Sequence, residues 1–154
     1  MAIRNIVLEG DDVLRKKCRP VEKFDERLHM ILDDMRETLI EADGVGLAAP
    51  QIGILRRIAI VDVGDGLCEL INPVIMKTSG EQTEVEACLS CPGKAGITVR
   101  PMNVSVQAFD RHGNLFSIEG EGLKARAFCH EIDHLDGILF IDKAIEMLDC
   151  DDID

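Results

Sequence analysis

From Asp25 onward the apolar residues Leu28, Ile31, Leu32, Met35 and Leu39 recur at the three- and four-residue intervals of a helical face. The spacing predicts an amphipathic helix of about four turns that stops at Gly44. Ahead of it, "DDVLRKKC" predicts a short helical turn capped by Asp11 and ended before Pro20. The period then changes. "RRIAIVDV", "CELINPVI", "ITVRP", "NVSVQAFD" and "LFSIEG" are short β-type runs separated by Gly, Pro and Asn, and "DRHGN" (Asp110 to Asn114) predicts the hairpin turn between the last two. A second helix is expected from Glu121 to Gly137, with the glycine as its C-terminal stop. Helix, several mostly antiparallel strands, helix is an α+β plan in which the sheets pack around the C-terminal helix. The acidic tail "LDCDDID" is expected to fray.

Length makes this one domain, residues 1–154, since a chain of 154 residues buries a sizeable core without staples. No apolar run approaches the roughly 18 residues of a membrane helix, and "MAIRNIVLEG" has no secretory pattern. A cytoplasmic location without membrane contact is therefore expected. There the six cysteines (18, 68, 88, 91, 129 and 150) stay reduced, which turns attention to their chemistry. A net charge of −12 and the lack of Trp and Tyr argue against direct nucleic-acid binding, because they remove both a phosphate-tracking surface and base-stacking platforms.

The second helix carries "HEIDH". Leu123, Ala127, His130 and His134 fall at i, i+4, i+7 and i+11, which places both imidazoles on the inward stripe. Two histidines one turn apart grip a metal ion, and Glu131, about 100° around the helix from His130, reaches a water on that ion. Core histidines beside a solvated glutamate are the plain alternative. A third ligand decides between them. The protease pattern that continues to a third histidine fails here, because Phe140 stands in its place, and Glu146 lies on a short tail segment. Upstream, the candidates are His29, His112 and the cysteines, of which Cys88 in "EVEACLSCPG" is the choice, aimed from a short strand at the helix. Cys91 completes a C-x-x-C, but an offset of three along a strand sends the two side chains to opposite faces.

"GVGLAAPQIG" (Gly44 to Gly53) lacks the Lys and Ser/Thr of a phosphate loop. It is either a helix exit or a place where small residues at 44, 46, 48 and 49 let a peptide backbone approach. An apolar pocket beside the ion, lined by Val45, Phe128 and Cys129, suits a methionine side chain.

Together "GVGLAAPQIG", "EACLS" (Glu86 to Ser90) and "HEIDH" resemble, in order and spacing, the three signature motifs of peptide deformylases. The resemblance implies a metal-dependent hydrolase that removes the formyl group from N-formylmethionyl nascent peptides and releases formate. It implies Cys88, His130 and His134 as metal ligands and Glu131 as general acid–base. Gln51 and the Leu89 N–H would hold the formyl oxygen, while Gly46 docks the substrate main chain. One divalent ion is implied, ferrous iron by family habit, with zinc, nickel or cobalt as substitutes. A transient ribosome contact is implied as well, although the tail lacks the basic helical extension through which some members dock. Ala87 stands where the family has glycine, and Cys129 where it has glutamine. From the residues alone, a small zinc endopeptidase or a non-catalytic metal-stabilised binding module are the competing readings.

Overall fold

The computed structural model describes residues 2–148, so Leu148, the first residue of the tail expected to fray, is held in a strand, and the rest of that tail, Cys150 included, lies outside the described residues. Helix α1 spans Glu26–Ala42 and begins where the Asp25 carboxylate accepts the Leu28 N–H at 3.1 Å. It buries Leu28, Leu32, Met35 and Leu39 of the expected stripe, and the fifth, Ile31, packs partly buried against the same core. Its stop comes one residue early. Asp43 adopts the left-handed conformation (φ 54°) and turns its N–H back to the Ile40 carbonyl, so Gly44 is not needed as the cap. The capped turn at Asp12–Arg15 forms as the sequence indicates, with Asp11 accepting from the Val13 N–H.

Among the described residues, eight strands make two antiparallel sheets. The larger orders β1 (Gly46–Ala48), β2 (Ile58–Val61), β3 (Cys68–Ser79), β6 (Asn103–Phe109) and β7 (Leu115–Glu121). The smaller orders β4 (Gln82–Ala87), β5 (Ala95–Arg100) and β8 (Glu146–Leu148). Thus β1 and β4 are each the edge of a different sheet. Asp110 to Asn114 close the β6–β7 hairpin, with the Asp110 N–H donating to the Asn114 carbonyl at 2.9 Å. The segment containing Glu146 is not a loose tail but strand β8, paired with β5.

Helix α2 spans Leu123–Leu135 and is followed by the single turn α3, Phe140–Lys143, which carries no periodic signal in the sequence. Every residue of β2 is buried, because alternate side chains enter two cores. Ile58 and Ile60 join Leu28, Leu32 and Met35 of α1, whereas Val61 joins Phe128 and Ile132 of α2. The large sheet is therefore clamped between the two helices, and truncating a residue such as Leu32 to alanine costs about 2–5 kcal/mol. Gly137 (φ 76°) ends the second helix as expected, and a Cβ there would lie 2.5 Å from the Arg15 carbonyl oxygen. Glycine is required twice over, by backbone conformation and by close approach.

An N-terminal strap crosses these elements. Its Ala2 and Arg4 N–H groups donate to Asp34 and Thr38 of α1, and its Val7 and Glu9 N–H groups donate to the carbonyls of Gln51 and Ser90 at 2.7 and 2.8 Å. No helix of the described residues is long and apolar enough to cross a membrane.

Candidate metal centre and active site

Cys88, His130 and His134 place one ligand atom each within 4.8 Å of one another. Local structure explains why. Helix α2 sets the two imidazoles one turn apart, ring centroids 5.0 Å, and both are buried. Cys88 follows the last residue of β4, where the chain leaves the sheet, and its Sγ lies 3.3 Å from His134 Nε2. His29 and His112, the other candidate ligands, instead pack edge-on to each other at 5.4 Å, with His29 Nε2 against the Arg111 carbonyl. Glu146 is exposed on β8.

The orientation of His130 has a cause that the sequence reading missed. Its Nδ1 is 2.6 Å from Glu86 Oε2, which leaves Nε2 as the nitrogen for the cluster. Glu86 also accepts from Thr98 Oγ1 and from Arg100 Nε and Nη2, while Arg100 Nη1 donates to Asp133 at 2.7 Å. Burial disfavours the Glu86 charge, but hydrogen bonds from His130 and Arg100 outweigh it and hold the carboxyl well below the usual range. One signal for this did exist in the sequence: Glu86 is two residues before Cys88, so a strand presents both on one face.

Glu131 is buried and its Oε1 has no hydrogen-bond partner among the described residues. Burial pushes its pKa up to about 7 against the opposing pull of His130. The same burial brings His134 down to about 3 and keeps its ring neutral, the form that ligates metals. The Cys88 thiol is pushed up by a hydrogen bond with Cys91 and by burial. A divalent cation is the group that would reverse that shift. A soft sulfur, two imidazoles and a buried carboxylate with an unpartnered oxygen beside them thus fit one such ion, with a coordination position left open.

Cys91 corrects the opposite-faces expectation. The strand ends at Ala87, and a turn closed by the Cys91 N–H on the Cys88 carbonyl (3.0 Å) brings the two thiols together. The described cysteines are all unpaired by disulfides.

A cavity of about 440 Å³ opens beside the cluster. Val45, Gly46, Gln51, Cys88, Leu89, His130 and Glu131 line it, together with Leu123 and Arg126. Leu123, expected on the inward stripe, is 44% exposed and stands on the rim. The placement of Phe128 and Cys129 beside the cavity is wrong. Both point into the core of the large sheet with Val61 and Ile132, and Phe128 is fully buried there. A helix step of about 100° per residue separates Phe128 from Ala127, which does line the cavity. Gln51 Oε1 accepts from the Ala48 N–H at 2.9 Å, which turns its amide NH₂ toward Ser90 Oγ (3.1 Å) and Cys88 Sγ (3.6 Å).

Gly46 explains itself by contact: a Cβ there would lie 2.5 Å from Glu131 Oε2. At Gly44 the nearest atom would be the end of the Leu89 side chain, 2.9 Å away and able to move. Gly46→Ala is therefore expected to lower turnover about tenfold or more, the effect of losing roughly 1.4 kcal/mol of transition-state stabilisation, while Gly44→Ala changes it much less. Equal turnover in the two variants would remove this contact from the explanation.

A His-Glu-x-x-His helix set against a cysteine, in an α+β fold with an open cavity, defines the class as a metal-dependent hydrolase. The model of the polypeptide deformylase family matches residues 3–149, and the chain belongs to that family. A peptide deformylase of Acetivibrio thermocellus is 54% identical over 154 residues, covering 100% of this chain and 91% of the relative. One of Alkaliphilus metalliredigens is 58% identical over 146 residues, 95% of this chain and 99% of its own. The crystal structure of the Thermotoga maritima peptide deformylase superposes with a TM-score of 0.91 at 41% identity, covering 94% and 99% of the two chains. The protein is accordingly an enzyme, and neither the endopeptidase nor the binding-module reading has support.

Proposed function

We propose that this enzyme hydrolyses the formyl group from N-formylmethionyl nascent peptides in the cytoplasm, through one divalent ion held by Cys88, His130 and His134. The observation that carries the reading is the buried, unpartnered Glu131 carboxylate beside that cluster, at the end of a cavity a peptide can enter. Ferrous iron is the proposed native ion, with zinc, nickel or cobalt as substitutes. When bound, such an ion makes a water nucleophilic near neutral pH and draws charge onto the carbonyl oxygen.

The chain supplies the rest. Glu131 takes the water proton and returns it to the methionine nitrogen as the C–N bond breaks, giving formate and a free amino terminus. The Gln51 amide and the Leu89 N–H donate to the oxygen on which negative charge grows. Gly46 lets the substrate main chain lie against β1, and the half-exposed apolar side chains of Val45 and Leu123 receive the methionine. A transient ribosome contact is part of the proposal, since the substrates are still being made.

The test compares a formyl-Met tripeptide with its acetyl-Met counterpart and with an unblocked peptide. Formate release from the first alone is expected; comparable cleavage of an internal peptide bond would overturn the proposal. Gln51→Ala is expected to reduce kcat about 100-fold or more with little change in KM, because its contact strengthens only as charge develops. An unchanged kcat would remove Gln51 from the oxyanion site.

A further inference from the structure

The net charge of −12 conceals an uneven distribution. Between Arg15 and Arg27 the chain carries six basic residues against three acidic ones. Eight of the 17 Lys and Arg residues form ion pairs among the described residues. Of the nine without one, six are Lys16, Lys17, Arg19, Lys23, Arg27 and Arg56. Four of these, Arg19, Lys23, Arg27 and Arg56, line a single groove of about 770 Å³, and Lys16 and Lys17 lead into it along the chain. No residue of this groove belongs to the catalytic cavity.

Backbone pairing holds two of the cations side by side. The Arg19 N–H donates to the Leu55 carbonyl at 3.2 Å and the Arg57 N–H to the Arg19 carbonyl at 2.9 Å, so Arg19 and Arg56 face each other in an isolated bridge. Like charges so placed repel. The carboxylates of the groove do little to relieve this: Asp25 is committed to capping α1, and Glu22 makes no ion pair. An anion from outside would. None of the apolar residues in the groove is among the exposed large hydrophobics, and no aromatic residue lines it. A protein partner would find no apolar anchor, and single-stranded bases would find no stacking platform.

We propose that this groove docks the phosphodiester backbone of folded RNA. Three of its four cations are arginines, whose planar fork matches phosphate oxygens. Acidic residues elsewhere do not prevent this, because beyond a Debye length of about 10 Å they are largely screened. The proposal rests on the reading of the substrate as a nascent chain, which is presented beside ribosomal RNA. It replaces the expectation, drawn from net charge, that nucleic acid is not a ligand.

The test uses the full chain and a short labelled RNA duplex of mixed sequence, with polyglutamate of similar length as competitor. If six cations meet phosphates, raising salt from about 50 to 200 mM weakens binding about 1,800-fold. For Arg19→Gln/Arg56→Gln the same change weakens it only about 150-fold, two contacts having been lost, and affinity at fixed low salt drops at least tenfold. Arg36→Gln/Lys77→Gln removes the same charge from exposed, unpaired sites elsewhere and is expected to bind like the parent. Lys16→Gln/Lys17→Gln, at exposed positions, repeats the test should the groove variant melt at a lower temperature. Equal loss in the groove and control variants, or polyglutamate binding more tightly than RNA, would overturn the proposal. Turnover of a free formyl-Met tripeptide is measured in parallel and stays at the parent level in all three variants. If the parent itself fails to turn it over, the deformylase reading falls while the RNA measurement still decides on the groove.

Discussion

Replacing Glu131 by glutamine is expected to lower kcat about 10²- to 10⁴-fold, the usual contribution of a positioned general acid–base, with metal content unchanged. The amide has the shape of the carboxylate but cannot accept the proton. Its surroundings make the experiment clean. Oε1 has no partner to lose, and Oε2 lies against the open face of Gly46, so the substitution breaks no hydrogen bond of the described residues. Burial already makes the charged form costly, as the pKa of about 7 indicates, so the metal-free variant is expected to melt no lower than the parent. Activity and metal stoichiometry measured on one preparation settle the matter. A metal-replete variant with parental kcat would show that another group moves the proton.

The second large effect is at the sulfur ligand. Cys88→Ser replaces a soft thiolate by a neutral hydroxyl and is expected to weaken metal binding at least about 100-fold, taking activity with it. Cys91→Ser, three residues on, is expected to leave stoichiometry unchanged. Cys91 is 1% exposed among Leu14, Leu139 and Phe140, so its cost appears instead as about 1–3 kcal/mol of stability for a hydroxyl placed in an apolar cluster. Anaerobic metal titration of both variants checks this pair, and the reverse pattern would assign the ligand to Cys91.

What could be read in advance follows from which signals are local. The stripe of α1 and the His-Glu-x-x-His face of α2 are periodic within a few turns, so they are visible in a line of letters. Cys88 is legible because two histidines need a third ligand, the downstream protease patterns do not supply one, and a short strand upstream aims a thiol at the helix. Glu86 is visible only as part of a motif, because its role depends on Arg100, which reaches it from a neighbouring strand, and on His130, which reaches it from the helix. Phe128 failed for a simpler reason: position along a helix does not fix which side meets the cavity without knowing what packs behind it, and the core of the large sheet claims that side chain. Strand β1 is hidden because Gly, Leu and Ala make too short a run to show alternation, and the thiol pair is misplaced because the strand ends before Cys88. The basic groove was invisible to net charge for the same reason that an average conceals its extremes.

The cavity lies where the edge strands of two separate sheets, β1 and β4, both leave a side unpaired. The groups such edges offer are N–H and C=O, and every peptide carries these at every residue in the same repeat. Recognition by two strand edges is therefore nearly blind to what a protein's sequence says after its first residue. On the proposed docking of a formylmethionyl chain, an enzyme that treats the products of a whole genome as one substrate would ignore most of the message, and the two edges are where that indifference would lie: the chain end is inspected, and the text behind it passes unread.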